Sequence, residues 1–248
     1  MAQNIYDDEA FFAGYSALPR SVHGLDGAPE WPALRGLLPP LAGRRLLDLG
    51  CGMGWFCRWA AEQGAAAVVG IDLSSNMLQR ARELSRPGII VYRQADLDEL
   101  TLPPAAFDLV YSSLAFHYLR DLPRLWTEIA GALVAGGRFV FSVEHPMFTA
   151  PLTPAGDGWI QLADGRNAWP VDSYLLEGPR SRNWFTPGVI RQHRTMATYV
   201  NTLAGCGFEL LELVEWGPTD SELAQRPELA KERDRPTFML ISARKRLS

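Results

Sequence analysis

Cysteine is scarce in this chain, which holds only Cys51, Cys57 and Cys206. Their spacing offers neither a paired disulfide framework nor the close clusters that hold zinc or iron–sulfur centres, so buried free thiols are expected and no metal site. An excess of basic charge is also missing. With 24 Lys and Arg against 28 Asp and Glu, the formal net charge is -4, which argues against a phosphate-backbone interface and so against nucleic acid as a partner. No apolar run approaches the ~18 residues that cross a bilayer, and no membrane association is expected. The stretch Met1 to Glu9 is acidic where a secretory signal is basic and then apolar. These features predict a soluble, cytoplasmic protein. Internal repeats and low-complexity segments are absent.

What is present is an ordinary globular composition, 47% hydrophobic and 21% charged, on a length of 248 residues that suits one well-filled α/β domain better than two thin ones. From residue 44 to 145, short apolar runs alternate with helical patterns, the signature of repeated βα units and a parallel sheet. Strands are expected over 44–50, 66–72, 89–95, 107–114 and 138–143. Ser74 or Ser75 caps one helix, which stops at Arg86-Pro87-Gly88, and Asp121 with Pro123 opens another that ends before Gly136-Gly137. Residues 195–248 read as a helix over 195–204 followed by two edge strands, over 208–216 and 236–243. The sequence thus predicts a Rossmann-like, doubly wound, mostly parallel sheet of seven strands with helices on both faces. Two parts fall outside the alternation: an N-terminal helical segment, 1–40, and an insert, 146–194, rich in Trp, Tyr and Arg.

The densest signal is Leu46-Leu47-Asp48-Leu49-Gly50-Cys51-Gly52-Met53-Gly54-Trp55, a strand that runs into a glycine turn and opens a helix. Glycines there permit a tight bend and let a ligand touch backbone with no Cβ in the way. A nicotinamide fingerprint needs glycine at the sixth position of G-x-G-x-x-G, where this chain has Trp55. About 20 residues on, Asp72 ends the second strand, where a carboxylate accepts both hydroxyl protons of an adenosine ribose.

Taken in order, LLDLGCGMG, VVGIDLSSNML, QADLDEL, FDLVYSSLAFHYL and LVAGGRFVFS resemble the class I S-adenosylmethionine-dependent methyltransferases, particularly the small-molecule branch similar to ubiquinone- and biotin-pathway enzymes. The resemblance covers residues 44 to 145 and extends loosely to the C-terminus. It implies S-adenosylmethionine as cofactor and S-adenosylhomocysteine as product. It further implies that Gly50, Gly52 and Gly54 face the amino-acid part of the cofactor, that Asp72 holds the ribose, and that Leu73 and Met77 flank the adenine. Asp96 and Leu97 would sit at the adenine amino group and Ser112 or Ser113 near the methionyl end, with Tyr15 and Arg20 closing over the site.

Methyl transfer from a sulfonium asks mainly for in-line placement of the nucleophile, and a base only where the acceptor must lose a proton. His117 and His145 follow the fourth and fifth strands at the ligand-binding edge of the sheet, and His193 follows the aromatic insert; these are the candidate bases. The insert interleaves aromatic rings with arginines, and Arg180, Arg182 and Trp184 are the candidates for binding a small, planar or anionic acceptor. A purely structural insert would instead pair its arginines with Asp157, Asp164, Asp172 and Glu177. Other readings stay open: the same fold running a different S-adenosylmethionine reaction, a non-catalytic cofactor-binding domain, or a nicotinamide oxidoreductase, in a monomer or a homodimer.

Overall fold

The seven strands of the central sheet alternate their side chains between two separate cores. In the computed structural model, which describes residues 3–152 and 158–247, β1 (Arg45–Leu49), β2 (Ala67–Asp72), β3 (Ile90–Gln94), β4 (Phe107–Ser113) and β5 (Leu133–Glu144) are parallel, and β11 (Phe238–Lys245) and β10 (Phe208–Glu215) complete the sheet in the order β10-β11-β5-β4-β1-β2-β3. The strand β11 runs antiparallel to both of its neighbours. Leu47 and Leu49 of β1, Phe139 and Phe141 of β5 and Ile241 of β11 enter a core built around Trp126 and Tyr199. Their neighbours Leu46, Val140 and Leu240 enter the opposite core, around Trp31 and Phe56. Burial on both faces is why these strands read as continuous apolar runs.

Helices α4 (Trp55–Glu62), α5 (Ser75–Leu84), α6 (Leu122–Ala132) and α8 (Met196–Gly205) cover the two faces. The Ser74 hydroxyl caps α5 by accepting from Met77 N at 3.1 Å, and the Asp121 carboxylate caps α6 by accepting from Arg124 N at 3.0 Å. The fifth strand starts at Leu133, earlier than the apolar pattern implied. Leu133 already pairs with Phe107 ahead of a register shift between Phe107 and Leu109, and Gly136 takes up the left-handed bend at φ +72°.

Three short helices, α1 (Glu9–Ser16), α2 (Pro19–Val22) and α3 (Trp31–Gly36), form the N-terminal segment. The insert contains α7 (Pro146–Thr149), the two-residue strands β6 (Ile160–Gln161) and β7 (Asn167–Ala168), and a hairpin of β8 (Gly178–Trp184) and β9 (Thr186–His193). A further short helix, α9 (Asp220–Gln225), precedes β11. No helix among the described residues is long and apolar enough to cross a membrane.

The N-terminal segment joins the insert to the sheet. Gln3 bonds both Gly188 O and Ile190 N of β9, each at 2.9 Å. Asp7 grips the start of α5, accepting from Ser74 Oγ at 2.5 Å, Ser75 Oγ at 3.0 Å and Asn76 N at 3.1 Å. Between these anchors, Tyr6, Phe11, Tyr15 and Trp184 meet edge to face, with centroids 4.9 to 6.0 Å apart for Tyr6–Phe11, Tyr6–Tyr15, Phe11–Trp184 and Tyr15–Trp184. Arg235 ties down the insert from the other side, its guanidinium lying 4.2 Å from the centroid of Trp169 and 4.7 Å from that of Phe148.

Partial desolvation pushes the Asp7 carboxyl upward, but the donors from Ser74, Asn76, Asn4 and Ser75 outweigh it and hold the group at about 2, below the ordinary 3.8. A depressed carboxyl contributes stability above its unfolded pKa and loses it as pH falls through the folded one. Asp7→Ala is therefore expected to cost about 1 kcal/mol near neutral pH, the usual value of a helix cap. Urea denaturation should show the gap between variant and wild type closing as pH falls from about 4 toward 2; a gap that persists at pH 2 contradicts this.

Candidate active site

The turn after β1 places three glycines in the left-handed region, each for a different reason. Gly50, at φ +74°, would drive a Cβ to 2.4 Å from that of Ala115, and Gly54, at φ +73°, to 2.2 Å from the Tyr92 hydroxyl. Gly52, at φ +51°, would meet nothing within 4 Å. It faces a cleft of about 550 Å³ at the carboxyl ends of the strands, into which Asp72, Leu73, Met77, Asp96, Leu97, Ser113, Tyr15 and Arg20 also project. The Gly52 N–H donates to Asp72 Oδ2 at 2.8 Å and the Ser74 N–H to Oδ1 at 2.9 Å. Burial raises the Asp72 carboxyl above its usual range while these two backbone donors oppose the shift. The carboxylate is thereby held rigidly with acceptor capacity to spare.

The cleft also holds carboxylates that the motifs do not point to, Asp48 and Glu144. Asp48 of β1 is buried in a strand of leucines; its Oδ2 accepts from Cys57 Sγ at 3.2 Å and its Oδ1 has no hydrogen-bond partner. Burial pushes its carboxyl up to about 7. An aspartate flanked by buried leucines in an inner strand needs a reason to be there. Arg20 is held by both oxygens of the buried Glu30 at 3.1 Å, which fixes its guanidinium at the cleft wall.

The far side of the cleft is formed by His117, Tyr118, Glu144, Phe148, Arg182, Trp184 and Arg191. Arg191 Nε lies 3.3 Å from Glu144 Oε2, yet the two are not aligned for a hydrogen bond, and both atoms are buried without one. The backbone N–H of Glu144 donates to His117 Nδ1 at 3.4 Å. Burial, with Arg191, Arg194 and Arg20 nearby, pushes the imidazole well below its ordinary pKa. With Nδ1 accepting from the Glu144 N–H, a neutral His117 carries its proton on Nε2.

Several residues expected at the site lie elsewhere. Gly54 turns the chain into α4 and packs on Tyr92, outside the cleft lining. Ser112 points the other way and donates to Leu49 O at 2.7 Å. Both ring nitrogens of His145 are engaged: Nδ1 caps α7 by accepting from Met147 N at 3.0 Å, and Nε2 bonds Glu215 Oε1 of β10 at 3.0 Å. His193 is held by Thr149 Oγ1 at 2.7 Å and Tyr174 O at 2.8 Å. Arg180 spends its guanidinium on the carbonyls of Ala150 at 3.0 Å and Leu176 at 2.5 Å and pins the insert from within. Of the acids expected to neutralise the insert's arginines, Asp164 pairs with Arg166 at 2.8 Å, Glu177 accepts from Thr195 and Thr198, and Asp157 lies outside the described residues. Asp172 accepts from Leu152 N at 3.1 Å.

A family model described as a methyltransferase domain matches residues 47–141. The crystal structure of an S-adenosylmethionine-dependent methyltransferase from Mesorhizobium loti superposes with a TM-score of 0.86 at 53% identity, covering 89% of this chain and all of that one. The chain belongs to the S-adenosylmethionine-dependent methyltransferases. Two relatives of stated activity are similar over less of their length. A malonyl-[acyl-carrier protein] O-methyltransferase from Serratia marcescens is 35% identical over 54% of this chain and 49% of its own. A tRNA U34 carboxymethyltransferase from Methylococcus capsulatus is 30% identical over 71% of this chain and 55% of its own. This methyltransferase thus spans about half the length of each.

The site suits the cofactor of the family. A glycine whose missing Cβ opens onto the cleft, a pinned carboxylate 20 residues on and an unpartnered carboxylate oxygen at Asp48 match a ligand that carries a ribose and an ammonium group. Gly52→Val is expected to abolish S-adenosylhomocysteine binding and also to lower the thermal transition, because the branched side chain fills ligand volume and is strained at φ +51°. Asp72→Ala should weaken binding by about 1.5–3 kcal/mol, the value of charged hydrogen bonds. Calorimetry on folded variants decides both, and unchanged affinity in either places the cofactor elsewhere.

Proposed function

We propose that this methyltransferase transfers the methyl group to an oxygen, nitrogen or carbon nucleophile on a small anionic acceptor, and that residues 146–194 form the acceptor side of the site. The observation that supports this reading is the charge balance beyond the glycine turn. Arg182 and Arg191 line the cleft there against one carboxylate, Glu144. The Arg182 fork is spent on the carbonyls of Leu152, Thr149 and Pro151, contrary to its expected acceptor role. This leaves Arg191 as the guanidinium facing an acceptor beside Trp184 and Phe148. A guanidinium matches carboxylate and phosphate in geometry as well as charge. The cofactor supplies an electrophilic methyl group whose leaving group departs uncharged. The chain's own residues place the nucleophile in line with that methyl, at about 3 Å, and exclude water with the roof of Tyr6, Tyr15 and Trp184. His117 orients the acceptor by donating from Nε2. A cleft of about 550 Å³ in a chain of net charge -4 favours a small molecule over tRNA. The free thiols of Cys51, Cys57 and Cys206 are consistent with a reducing compartment such as the cytoplasm.

Turnover of a library of small carboxylates, phosphates and neutral analogues, with S-adenosylhomocysteine as the product measured, tests the proposal. Anionic acceptors are expected to react, and turnover confined to neutral compounds would overturn it; consumption of the donor without S-adenosylhomocysteine would indicate a different reaction. Arg191→Lys, which keeps the charge but loses the fork, should raise the acceptor KM about tenfold or more with S-adenosylhomocysteine affinity unchanged. Because His117 titrates well below its ordinary pKa, no acidic limb near pH 6 to 7 should arise from it, and His117→Gln should keep the wild-type pH profile.

A further inference from the structure

If the acceptor's nucleophile is an O–H or N–H group, its proton needs a destination, and none of the three candidate histidines provides one. His145 and His193 lie outside the cleft lining with both ring nitrogens engaged. His117 faces the cleft, but its Nδ1 lone pair already receives the Glu144 N–H. The tyrosines of the roof and wall, Tyr6, Tyr15 and Tyr118, have phenols raised above their ordinary values by burial and remain protonated. Four carboxylates line the cleft among the described residues: Asp48, Asp72, Asp96 and Glu144. Asp72 is committed to the glycine turn, Asp48 lies beneath that turn on Cys57, and Asp96 follows β3 at the opposite end from the insert. Glu144 alone stands at the end of β5 among the insert's residues, nine-tenths buried, with Oε2 free of hydrogen bonds.

We infer that Glu144 is the proton acceptor of this methyltransferase. The nucleophilic atom forms its bond to the methyl carbon, the carbon–sulfur bond breaks with its electron pair staying on sulfur, and the proton released by the nucleophile passes to the Glu144 carboxylate. Burial raises the proton affinity of Glu144 above that of an ordinary glutamate, against the opposing charge of Arg191 at 3.3 Å. The inference rests on reading the Glu144 side of the cleft as the acceptor side, but its test needs no acceptor.

Sinefungin provides the probe, because a carbon bearing an amine replaces the methylated sulfur of the cofactor and places a positive charge where the methyl group sits. The wild-type protein should bind sinefungin with that amine facing Glu144 Oε2 across the space the nucleophile would fill, directly or through one water, visible in a crystal structure of the complex. Glu144→Gln should weaken sinefungin about tenfold relative to S-adenosylhomocysteine, whose own affinity stays at the wild-type value. The double variant Glu144→Gln with Arg191→Gln, which leaves no lone buried charge, should do the same. An unchanged affinity ratio in either variant, or a complex with the amine turned away from Glu144, would overturn the assignment. Failure of the anionic-acceptor reading would appear separately, in the acceptor library, with the sinefungin result intact.

Discussion

The ligand end of this molecule depends on one carboxylate bridging two strands. Asp72, at the end of β2, accepts from the backbone of the turn that leaves β1 and from the backbone that starts α5. Turn, helix start and strand end therefore move as one body. The loop carries no side chain at Gly52 with which to anchor itself, so its shape has to be imposed from outside, and a buried carboxylate with two short donors is a stiff way to impose it. The Asp7 clamp on Ser74, Ser75 and Asn76 extends the same chain of bonds to the N-terminal segment. Cofactor pocket and roof are in this sense one hydrogen-bonded unit.

The alternation of apolar runs and caps made the sheet legible from the sequence, because its strands are covered on both faces and its helices begin at Ser74, Asp121 and Thr195, whose side chains cap them. The methyltransferase fold and its cofactor followed from five motifs in order. The acceptor side was harder to read, and for a physical reason: in a region without periodicity, residue type says what a side chain can do but not which way it faces. Arg180 and Arg191 look alike in the sequence, yet one is spent on backbone carbonyls and the other meets Glu144 in the cleft. Histidine was similarly ambiguous. Ring nitrogens that seemed available at strand ends turn out to cap α7 and to join Thr149 to Tyr174. Asp48 and Glu144 gave the opposite error, overlooked because each sits within or at the end of an apolar strand.

The insert and the N-terminal segment each need the other. Among the described residues, the aromatic side chains of one pack edge to face on those of the other, and Gln3 bonds two residues of β9. Covering the cleft with two segments far apart in sequence ties the roof to the glycine turn through Asp7, Ser74 and Asp72. The same arrangement concentrates buried arginines where few acids reach them, so backbone carbonyls carry much of the neutralisation, as at Arg194 with Leu119 and Arg120.

The position of β11 between β5 and β10 has a consequence for synthesis of the chain. Phe139, Val140 and Phe141 of β5 are made long before the strand that hydrogen-bonds along their open edge, and Phe238, part of the cleft wall, arrives with that late strand. On the ribosome the nascent polypeptide must therefore carry an unpaired, strongly apolar edge until residues 238–245 emerge. Such an edge is an invitation to mispairing. Translation past residue 238 is then the step that both seals the sheet and completes the pocket, and a message truncated shortly before it would yield a chain prone to aggregate rather than a weakened enzyme.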